Sequence, residues 1–261
     1  MKNAGGNRAM RRRFSSSVAA GIAAVTIIMG AGGSKGSQAM YARTHTADPV
    51  VELTERDVQR SNEKIGMAYR ELVATWRASF RRLGTTFAAP SLVRYRVIAR
   101  TPCGYMRAGN AAYCTPNNTI YFDEVFVALQ AKNAAVELGT DGDMAAVGVI
   151  AHEMGHAVAI QLGHQTRNSY ANEGMADCLA GAFAKHAEES GTLEDGDVDE
   201  AFFGMAAAAD PVPELTGNRM IDQRILMRLA RRGHGTEEQR MENFRTGLDG
   251  GAGACLPEFR G

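Results

Sequence analysis

The sequence predicts an α+β fold that is mostly helical and contains a small β-sheet. Helical apolar periodicity recurs along much of the chain, two short runs near its middle have the character of strands, and capping signals precede several helices. Of the 261 residues, 45% are hydrophobic and 22% are charged, which is ordinary for a globular protein. The chain is therefore long and apolar enough for one domain with a substantial core.

The first helix and both strands follow from the spacing of apolar residues. Over 51–83 these residues recur mostly at intervals of three and four, as on one face of an amphipathic helix. Alternation over 95–99 predicts one strand. The β-like run 119–122, which follows a turn-forming Pro-Asn-Asn segment, predicts a second.

Further helices are predicted from apolar runs and from capping signals. The longest apolar run ends before Gly163, and the segment 141–143 is expected to cap its first turn. Two later helices begin at capping boxes, in which side chains satisfy free backbone N–H groups. The predicted segments are 123–129, about 143–162, about 169–187, and helices that begin at 197–200 and 236–239.

The first 42 residues predict a targeting segment. Three arginines at 11–13 precede an uncharged apolar run over 18–30, and small residues follow, with 37–39 as a candidate cleavage site. The apolar run is shorter than the roughly 20 residues of a membrane-spanning helix, so cleavage is favoured over a retained anchor. We therefore expect a signal peptide or N-terminal anchor with a linker at 1–42, and the functional domain at 43–261.

Charge is distributed unevenly along a chain whose formal net charge is +0. Six of the 29 basic residues, and no acidic residue, lie within 1–42, so the remainder of the chain is net acidic. An acidic body gives no support to nucleic-acid binding. We expect no nucleic-acid partner, and contact with a membrane only through an uncleaved N-terminal segment.

The four cysteines are Cys103, Cys114, Cys178 and Cys255, and they can pair in three ways. Export favours disulfides over reduced thiols, which are the alternative. We favour Cys103–Cys114, which closes a short loop, together with Cys178–Cys255, which ties the C-terminus to the body. The sequence has no C-x2-C pair, so a zinc site made of cysteines is not expected.

His152 and His156 are spaced to bind one metal ion from a single helix. Residues four apart lie above one another on a helical face, so both ring nitrogens can reach the same ion. Glu153 lies beside them and can take a proton from a metal-bound water, as in the H-E-x-x-H arrangement of zinc peptidases. The surrounding helix is almost wholly apolar, and polar side chains inside it are costly unless they are satisfied. A core helix with incidental polar residues is the alternative.

A third protein ligand is needed, because catalytic zinc has three protein ligands and one open position. A third histidine in the pattern H-E-x-x-H-x-x-G-x-x-H is excluded, since Ala159 and Leu162 occupy the required positions. His164 lies past a glycine and out of helical phase. Glu173, on the next predicted helix, is the better candidate.

Asp177 is four residues after Glu173 and therefore lies on the same helical face. Its carboxylate can accept the second ring N–H of a ligating histidine, which we expect to be His152. Such a contact fixes the tautomer of the ring and raises its basicity. The alternatives are a solvated helix residue for Glu173, which would be favoured for that residue alone, and a surface charge for Asp177. The joint spacing of both acids after the H-E-x-x-H helix favours the metal site instead.

Several segments also carry a resemblance to a known family. They are Cys103 with 113–114, 120–123, 142–145, 149–156, 176–181, 196–201, 234–236 with 238–240, and Cys255 with Phe259. Together these segments, which span about 103–259, resemble the bacterial putative neutral zinc metallopeptidases, a family of the His-His-Glu gluzincin type. The sequence departs from the family's pattern at Ala157, where relatives often have histidine, and before His234, where a Phe-Thr pair is missing.

The resemblance implies a zincin-like domain in which a small β-sheet lies beside the active-site helix. It implies one zinc ion on His152, His156 and Glu173, and it favours the disulfide pairing given above. By analogy with zincins, the strand at 119–122 is expected to pair with an extended peptide substrate. His234 precedes a capped helix in a segment that the family shares, so it is the candidate donor to the reaction's oxyanion; a loop histidine outside the site is the alternative.

These observations predict an exported zinc metalloendopeptidase, a hydrolase that cleaves peptides or proteins through a zinc-bound water activated by Glu153. A secreted, periplasmic or cell-envelope location is expected. The alternative is a non-catalytic, exported metal-binding scaffold or binding protein derived from a peptidase, against which an intact Glu153 argues. A purely structural zinc site fits poorly, because such sites are usually closed by four protein ligands.

Overall fold

Helices form most of the structure, a computed structural model that describes residues 51–260. The α+β class is confirmed, whereas the predicted targeting segment at 1–42 and the boundary that follows it lie outside the described residues. In chain order the elements are α1 (Glu55–Arg82), β1 (Ser91–Tyr95), β2 (Ile98–Thr101), β3 (Gly104–Arg107), β4 (Ala111–Cys114), β5 (Thr119–Asp123), α2 (Glu124–Leu138), α3 (Asp143–Gln161), α4 (Ser169–Ser190), α5 (Asp197–Ala207), α6 (Arg219–Arg232), α7 (Glu237–Gly250) and α8 (Ala252–Cys255).

Helix α1 confirms the amphipathic helix predicted over 51–83. The hydroxyl of Thr54 accepts the N–H of Asp57 at 3.2 Å, and the Asp57 carboxylate accepts the N–H of Thr54 at 2.9 Å. This capping box satisfies N–H groups that have no partner within the helix. The buried stripe of α1 includes Leu72, Trp76 and Phe80, and the helix contacts α3.

Two small sheets lie between α1 and α2 in the sequence. One has the strand order β1-β5-β4, with β1 parallel and β4 antiparallel to β5; the other is the antiparallel hairpin β2–β3. The strand predicted at 119–122 is confirmed as β5. It is the central strand, however, so the expectation that it pairs with a peptide substrate is wrong: β1 and β4 occupy both of its edges.

The single strand predicted over 95–99 is wrong in extent. Tyr95 ends β1 and Ile98 begins β2, and between them Val97 adopts a positive φ of 65°. A β-branched residue rarely adopts this conformation, so the alternation of side chains gave no sign of the break. The predicted helices are confirmed, but α2 is longer than 123–129 and α6 has no counterpart among the predictions.

Helix α3 is buried around most of its circumference and contacts α1, α2, α4 and α5. Its predicted cap at 141–143 provides no capping side chain: Gly142 is the N-cap residue. Instead, the fully buried carboxylate of Glu200 accepts the N–H groups of Gly142 and Met144 at 2.9 and 2.8 Å. Glu200, predicted to cap its own helix α5, therefore caps the helix that carries the H-E-x-x-H motif, where a negative charge is favourable.

The favoured disulfide pairing is confirmed. Cys103 is bonded to Cys114, and Cys178 to Cys255. The second bond ties the C-terminal turn α8 to the middle of α4. Disulfides persist mainly in oxidising compartments, which agrees with an extracellular or periplasmic location.

No helix within residues 51–260 combines the length and the apolar character that a membrane crossing requires.

The start of α5 contains a carboxyl group with a shifted pKa. Burial raises the pKa of Asp197, a hydrogen bond from the N–H of Glu194 opposes this, and the carboxylates of Asp143, Glu200 and Asp141 add to the rise, so that the pKa is about 6. A pKa that folding raises means that the native state favours the protonated form. The corresponding stability is present at low pH and is lost as the pH rises through about 6.

We expect Asp197→Asn to raise the free energy of unfolding by about 1 kcal/mol at about pH 8 and to change it little at about pH 4. The amide oxygen can still accept the N–H of Glu194, which lies 2.7 Å from the carboxylate. Urea denaturation at both pH values measures the effect, with the exposed Asp195→Asn as the control. A difference between wild type and Asp197→Asn that does not change with pH would contradict the assignment.

Candidate active site

The two histidines of the motif lie one turn apart on α3. Their ring centroids are 4.7 Å apart and the rings are nearly perpendicular, at 86°. Glu153, between them in sequence, is also buried. The chain turns after α3 and returns as α4, which places Glu173 and Asp177 against the histidines.

The predicted ligands meet at one point. The Nε2 atom of His152 lies 3.1 Å from Oε2 of Glu173, and Nε2 of His156 lies 3.6 Å from Oε1 of the same carboxylate. One donor atom from each of the three residues lies within 4.8 Å of the other two.

Zinc fits this arrangement of donor atoms. Tetrahedral zinc bound at its usual nitrogen and oxygen distances has neighbouring ligand atoms about 3.4 Å apart, which lies between the two separations above. Two imidazoles and one carboxylate are also a ligand set that zinc accepts, and they leave a fourth position open. His152, His156 and Glu173 are therefore suited to hold one ion.

Asp177 and Arg240 support the first histidine from behind. Nδ1 of His152 lies 2.7 Å from Oδ1 of Asp177, so the ring can donate there and leave Nε2 for a metal. Arg240, from α7, donates to both oxygens of Asp177, at 2.6 and 3.1 Å, and to the carbonyl of Ala208 at 2.9 Å. Asp177 and Arg240 are both buried, so this pair is held away from solvent.

These charged groups shift one another's pKa values. Burial alone would lower the pKa of His152, but the carboxylates of Asp177 and Glu173 outweigh burial and raise it. Burial alone would raise the pKa of both carboxylates. It is outweighed for Glu173 by His152 and His156, and for Asp177 by His152 and Arg240, so both pKa values are lowered. Both carboxylates are therefore ionised, as a metal ligand and its supporting acceptor must be.

Gly155 allows α3 and α4 to come close enough for the candidate ligands on the two helices to meet. A Cβ atom at this position would lie 2.7 Å from the carbonyl oxygen of Ala176 and 2.9 Å from its Cα atom. Backbone atoms of a packed helix cannot move aside easily, so the close approach requires glycine. Gly148, on the same helix, has no such neighbour: the nearest atom to its Cβ would be the methyl group of Met205, at 3.6 Å.

We expect Gly155→Ala to destabilise the protein by about 1–3 kcal/mol, because overpacking against backbone outweighs the better helix propensity of alanine. Gly148→Ala is the matched control on the same helix, and it should be neutral or stabilising by up to about 1 kcal/mol. Urea denaturation of both variants measures the difference. Equal stability of the two variants would show that the approach of α3 to α4 does not require Gly155.

Glu153 is held by the sheet. The N–H of Tyr113 on β4 donates to its Oε2 atom at 2.7 Å. Strand β4 is at the edge of its sheet within the described residues, so this N–H faces Glu153 instead of a neighbouring strand.

Two cavities meet at the motif. One, of ≈ 400 Å³, is lined by the three candidate ligands, Glu153 and the edge strand β4. The other, of ≈ 290 Å³, shares Glu153, His152 and His234 with the first and extends towards Phe126 and Met205. The candidate base Glu153 therefore lies where the two cavities meet.

His234 lines both cavities and is largely exposed. Asp210 positions it: the Asp210 carboxylate accepts the backbone N–H of His234 at 2.5 Å and lies 3.4 Å from its Nδ1 atom. His164 also lines the larger cavity, but it pairs with Glu258 at 2.7 Å and is not among the grouped donor atoms.

A second group of acidic residues at the starts of α3 and α5 resembles a cation site in spacing alone. Its members are Asp141, Asp143, Asp197 and Glu200. The ammonium group of Lys64 already lies 2.5 Å from Asp143, and both oxygens of Glu200 accept backbone N–H groups. We assign no ion to this group.

Arg240, Asp210 and Tyr113 were not predicted as site residues. Arg240 left one usable signal, since it shares the inward face of α7 with Phe244 and Gly247, and a charge on such a face needs a buried partner. Tyr113 contributes a backbone N–H and Asp210 lies in a loop, so neither has a distinguishing sequence pattern.

The comparisons with known proteins agree with this site. Residues 3–259 match the family described as "Putative neutral zinc metallopeptidase". The chain belongs to this family. It is also 33% identical over 205 residues to the "Uncharacterized protein YpfJ" of Escherichia coli strain K12. The match covers 71% of this chain and 67% of that protein. A protein with the same description from Escherichia coli O6:H1 shows the same identity and coverage.

No solved structure matches the chain. The zincin-like character of this metallopeptidase family member therefore stays a prediction, whereas its α+β class is observed.

Proposed function

We propose that the protein is an exported zinc-dependent endopeptidase that hydrolyses peptide bonds in peptides or proteins. The observation that carries the proposal is the convergence of His152, His156 and Glu173, with the carboxylate of Glu153 beside them in a cavity. Membership of a zinc metallopeptidase family supports the same conclusion.

One zinc ion on these three residues would acidify a water molecule and polarise the carbonyl of the peptide bond. Asp177 keeps the Nδ1 proton of His152 in place, and Arg240 keeps Asp177 ionised, so the ring presents Nε2 to the ion. Asp177 and Arg240 thus fix both the tautomer and the orientation of the His152 ring.

Glu153 is the proposed general base. Tyr113 holds its Oε2 atom, and no hydrogen bond within residues 51–260 engages Oε1. Oε1 can therefore accept a proton from water and later deliver it to the departing amine, which is the usual work of a carboxylate in this position.

The edge strand β4 is the proposed platform for the substrate. An extended peptide can add to a free strand edge through main-chain hydrogen bonds, and β4 contributes Ala111, Ala112 and Tyr113 to the wall of the larger cavity. Such binding would lay the peptide across Glu153, with side chains extending into the two cavities.

His234 is the proposed donor to the oxyanion, with Asp210 holding its loop. Its place on the wall of both cavities supports this role. A preorganised hydrogen-bond donor aimed at the developing negative charge stabilises the transition state more than the ground state.

The competing proposal is a non-catalytic metal-binding protein. It explains the ligands, but it gives no reason for a carboxylate that is held on one oxygen and free on the other.

Zinc removal and restoration test the proposal. We expect the purified chain to contain one zinc ion and to cleave internal bonds of a mixed peptide library, with loss of cleavage after chelation and recovery after zinc is added. Mass spectrometry identifies the cleaved bonds. Zinc-loaded protein that cleaves no peptide would overturn the enzyme proposal, and protein that binds no zinc would overturn the site. The N-terminal sequence of protein isolated from the cell envelope or medium tests export.

A further inference from the structure

The segment 211–233, which contains α6, begins and ends at the same point of the domain. The N–H of Asp210 donates to the carbonyl of Gly235 at 2.8 Å, and the carboxylate of Asp210 accepts the N–H groups of His234 and Gly235 at 2.5 and 3.1 Å. These contacts join the two ends of the segment 211–233, which consists of a loop and α6. Because His234 takes part in these contacts, the ends of the segment 211–233 lie at the wall of the candidate active site.

The segment 211–233 exposes an unusual number of large apolar side chains. Within residues 51–260, fifteen large apolar side chains are exposed, and six of them lie here. The six are Val212, Leu215, Met220, Ile221, Leu226 and Met227. Scattered exposed apolar residues need no explanation, but a concentration in one short segment marks an interaction surface.

The same segment carries a strong positive charge. Helix α6 contains five arginines and one acidic residue. That residue, Asp222, is occupied by the preceding loop, where it accepts the N–H of Thr216 at 2.8 Å and the N–H of Gly217 at 3.1 Å. Arg224, Arg228 and Arg231 are exposed, and no carboxylate within the described residues forms an ion pair with them.

Apolar and basic residues alternate along the outward face of α6. Ile225 and Leu229 are half-buried on the side that faces the domain, where α6 contacts α4. The opposite side presents Met220, then arginine at 224, Met227, and arginine at 231, at intervals of four, three and four residues.

We propose that α6 and its loop bind the surface of an anionic lipid bilayer. Arginine side chains can extend to lipid phosphates while the two methionines of the same face enter the boundary of the headgroups and acyl chains. A bilayer interface accommodates such alternation, since it offers negative charge and apolar space over the same small area. The net acidic remainder of the chain would be repelled by such a surface, so the charge of α6 would orient the domain. The candidate active site would then lie close to the membrane.

Vesicle binding by the full chain tests the proposal. We expect cosedimentation with vesicles that contain phosphatidylglycerol, little binding to phosphatidylcholine alone, and release by salt. With vesicles present, hydrogen–deuterium exchange should slow in peptides that cover 219–232, which separates binding by α6 from binding by the basic N-terminal segment.

Matched charge variants give the second measurement. Each basic residue near an anionic surface contributes a factor of about five, so Arg224→Gln/Arg228→Gln/Arg231→Gln should weaken the α6-dependent binding on the order of a hundredfold. Arg70→Gln/Arg77→Gln/Arg81→Gln removes the same charge from one exposed face of α1 and should have little effect. Unchanged exchange of 219–232 in the presence of vesicles, or equal weakening by both triple variants, would overturn the proposal. Failure to bind vesicles combined with binding to a soluble acidic protein would overturn it in favour of a protein partner.

Discussion

Replacing Glu153 by glutamine is expected to lower kcat for peptide hydrolysis by about 10²–10⁴-fold while zinc stays bound. The carbonyl oxygen of the glutamine can still accept the Tyr113 N–H, which donates to Glu153 at 2.7 Å in the wild type, so the side chain keeps its place. The amide cannot take up a proton, so the step that activates water loses its base. Steady-state kinetics on a cleaved peptide, with zinc measured on the same samples, give the result.

Glu137→Gln, at an exposed position near the end of α2, is the control for the loss of one negative charge. It should cleave the peptide at the wild-type rate. If Glu153→Gln retained hydrolysis within a few-fold of wild type, another group would have to be the base. Loss of zinc from Glu153→Gln would instead indicate that this carboxylate holds the ion.

The sequence was sufficient to predict that the candidate metal ligands come together, because their geometry is local. Residues four apart share a helical face, so the pairs His152 with His156 and Glu173 with Asp177 could each be placed on one side of a helix. The turn between the two helices then left few ways for them to pack. The apolar character of the α3 sequence also predicted that this helix is buried, which the structure confirms.

The sequence was insufficient where a residue's partner is distant along the chain. Glu200 matched a capping box for α5, but its carboxylate binds the first turn of α3 instead. The position of β4 at the sheet edge depends on which strands pair, and pairing cannot be read from short runs with weak alternation. A buried charge needs a partner, but the sequence did not indicate that the partner of Asp177 is Arg240.

Arg240→Met is expected to lower the free energy of unfolding by about 3–5 kcal/mol. The guanidinium group neutralises Asp177, whose side chain is 0% exposed, through contacts at 2.6 and 3.1 Å. Without it, a fully buried carboxylate would be left with His152 as its charged neighbour. Urea denaturation measures the loss, and Arg245→Met on the same helix is the control. Arg245 is 51% exposed and pairs with Glu242, so its removal should cost about 1 kcal/mol or less.

The double variant Asp177→Asn/Arg240→Met separates stability from metal binding. Removing both charges leaves no uncompensated buried ion, so we expect much of the lost stability to return. Zinc affinity should nevertheless stay lower than in the wild type, by about 10–100-fold, because a neutral amide supports His152 less well than a carboxylate. Recovery of both properties would mean that Asp177 has no part in holding the metal. If neither stability nor zinc affinity recovered, Arg240 would stabilise the domain through its contact with Ala208 and its packing, and not by neutralising the charge of Asp177.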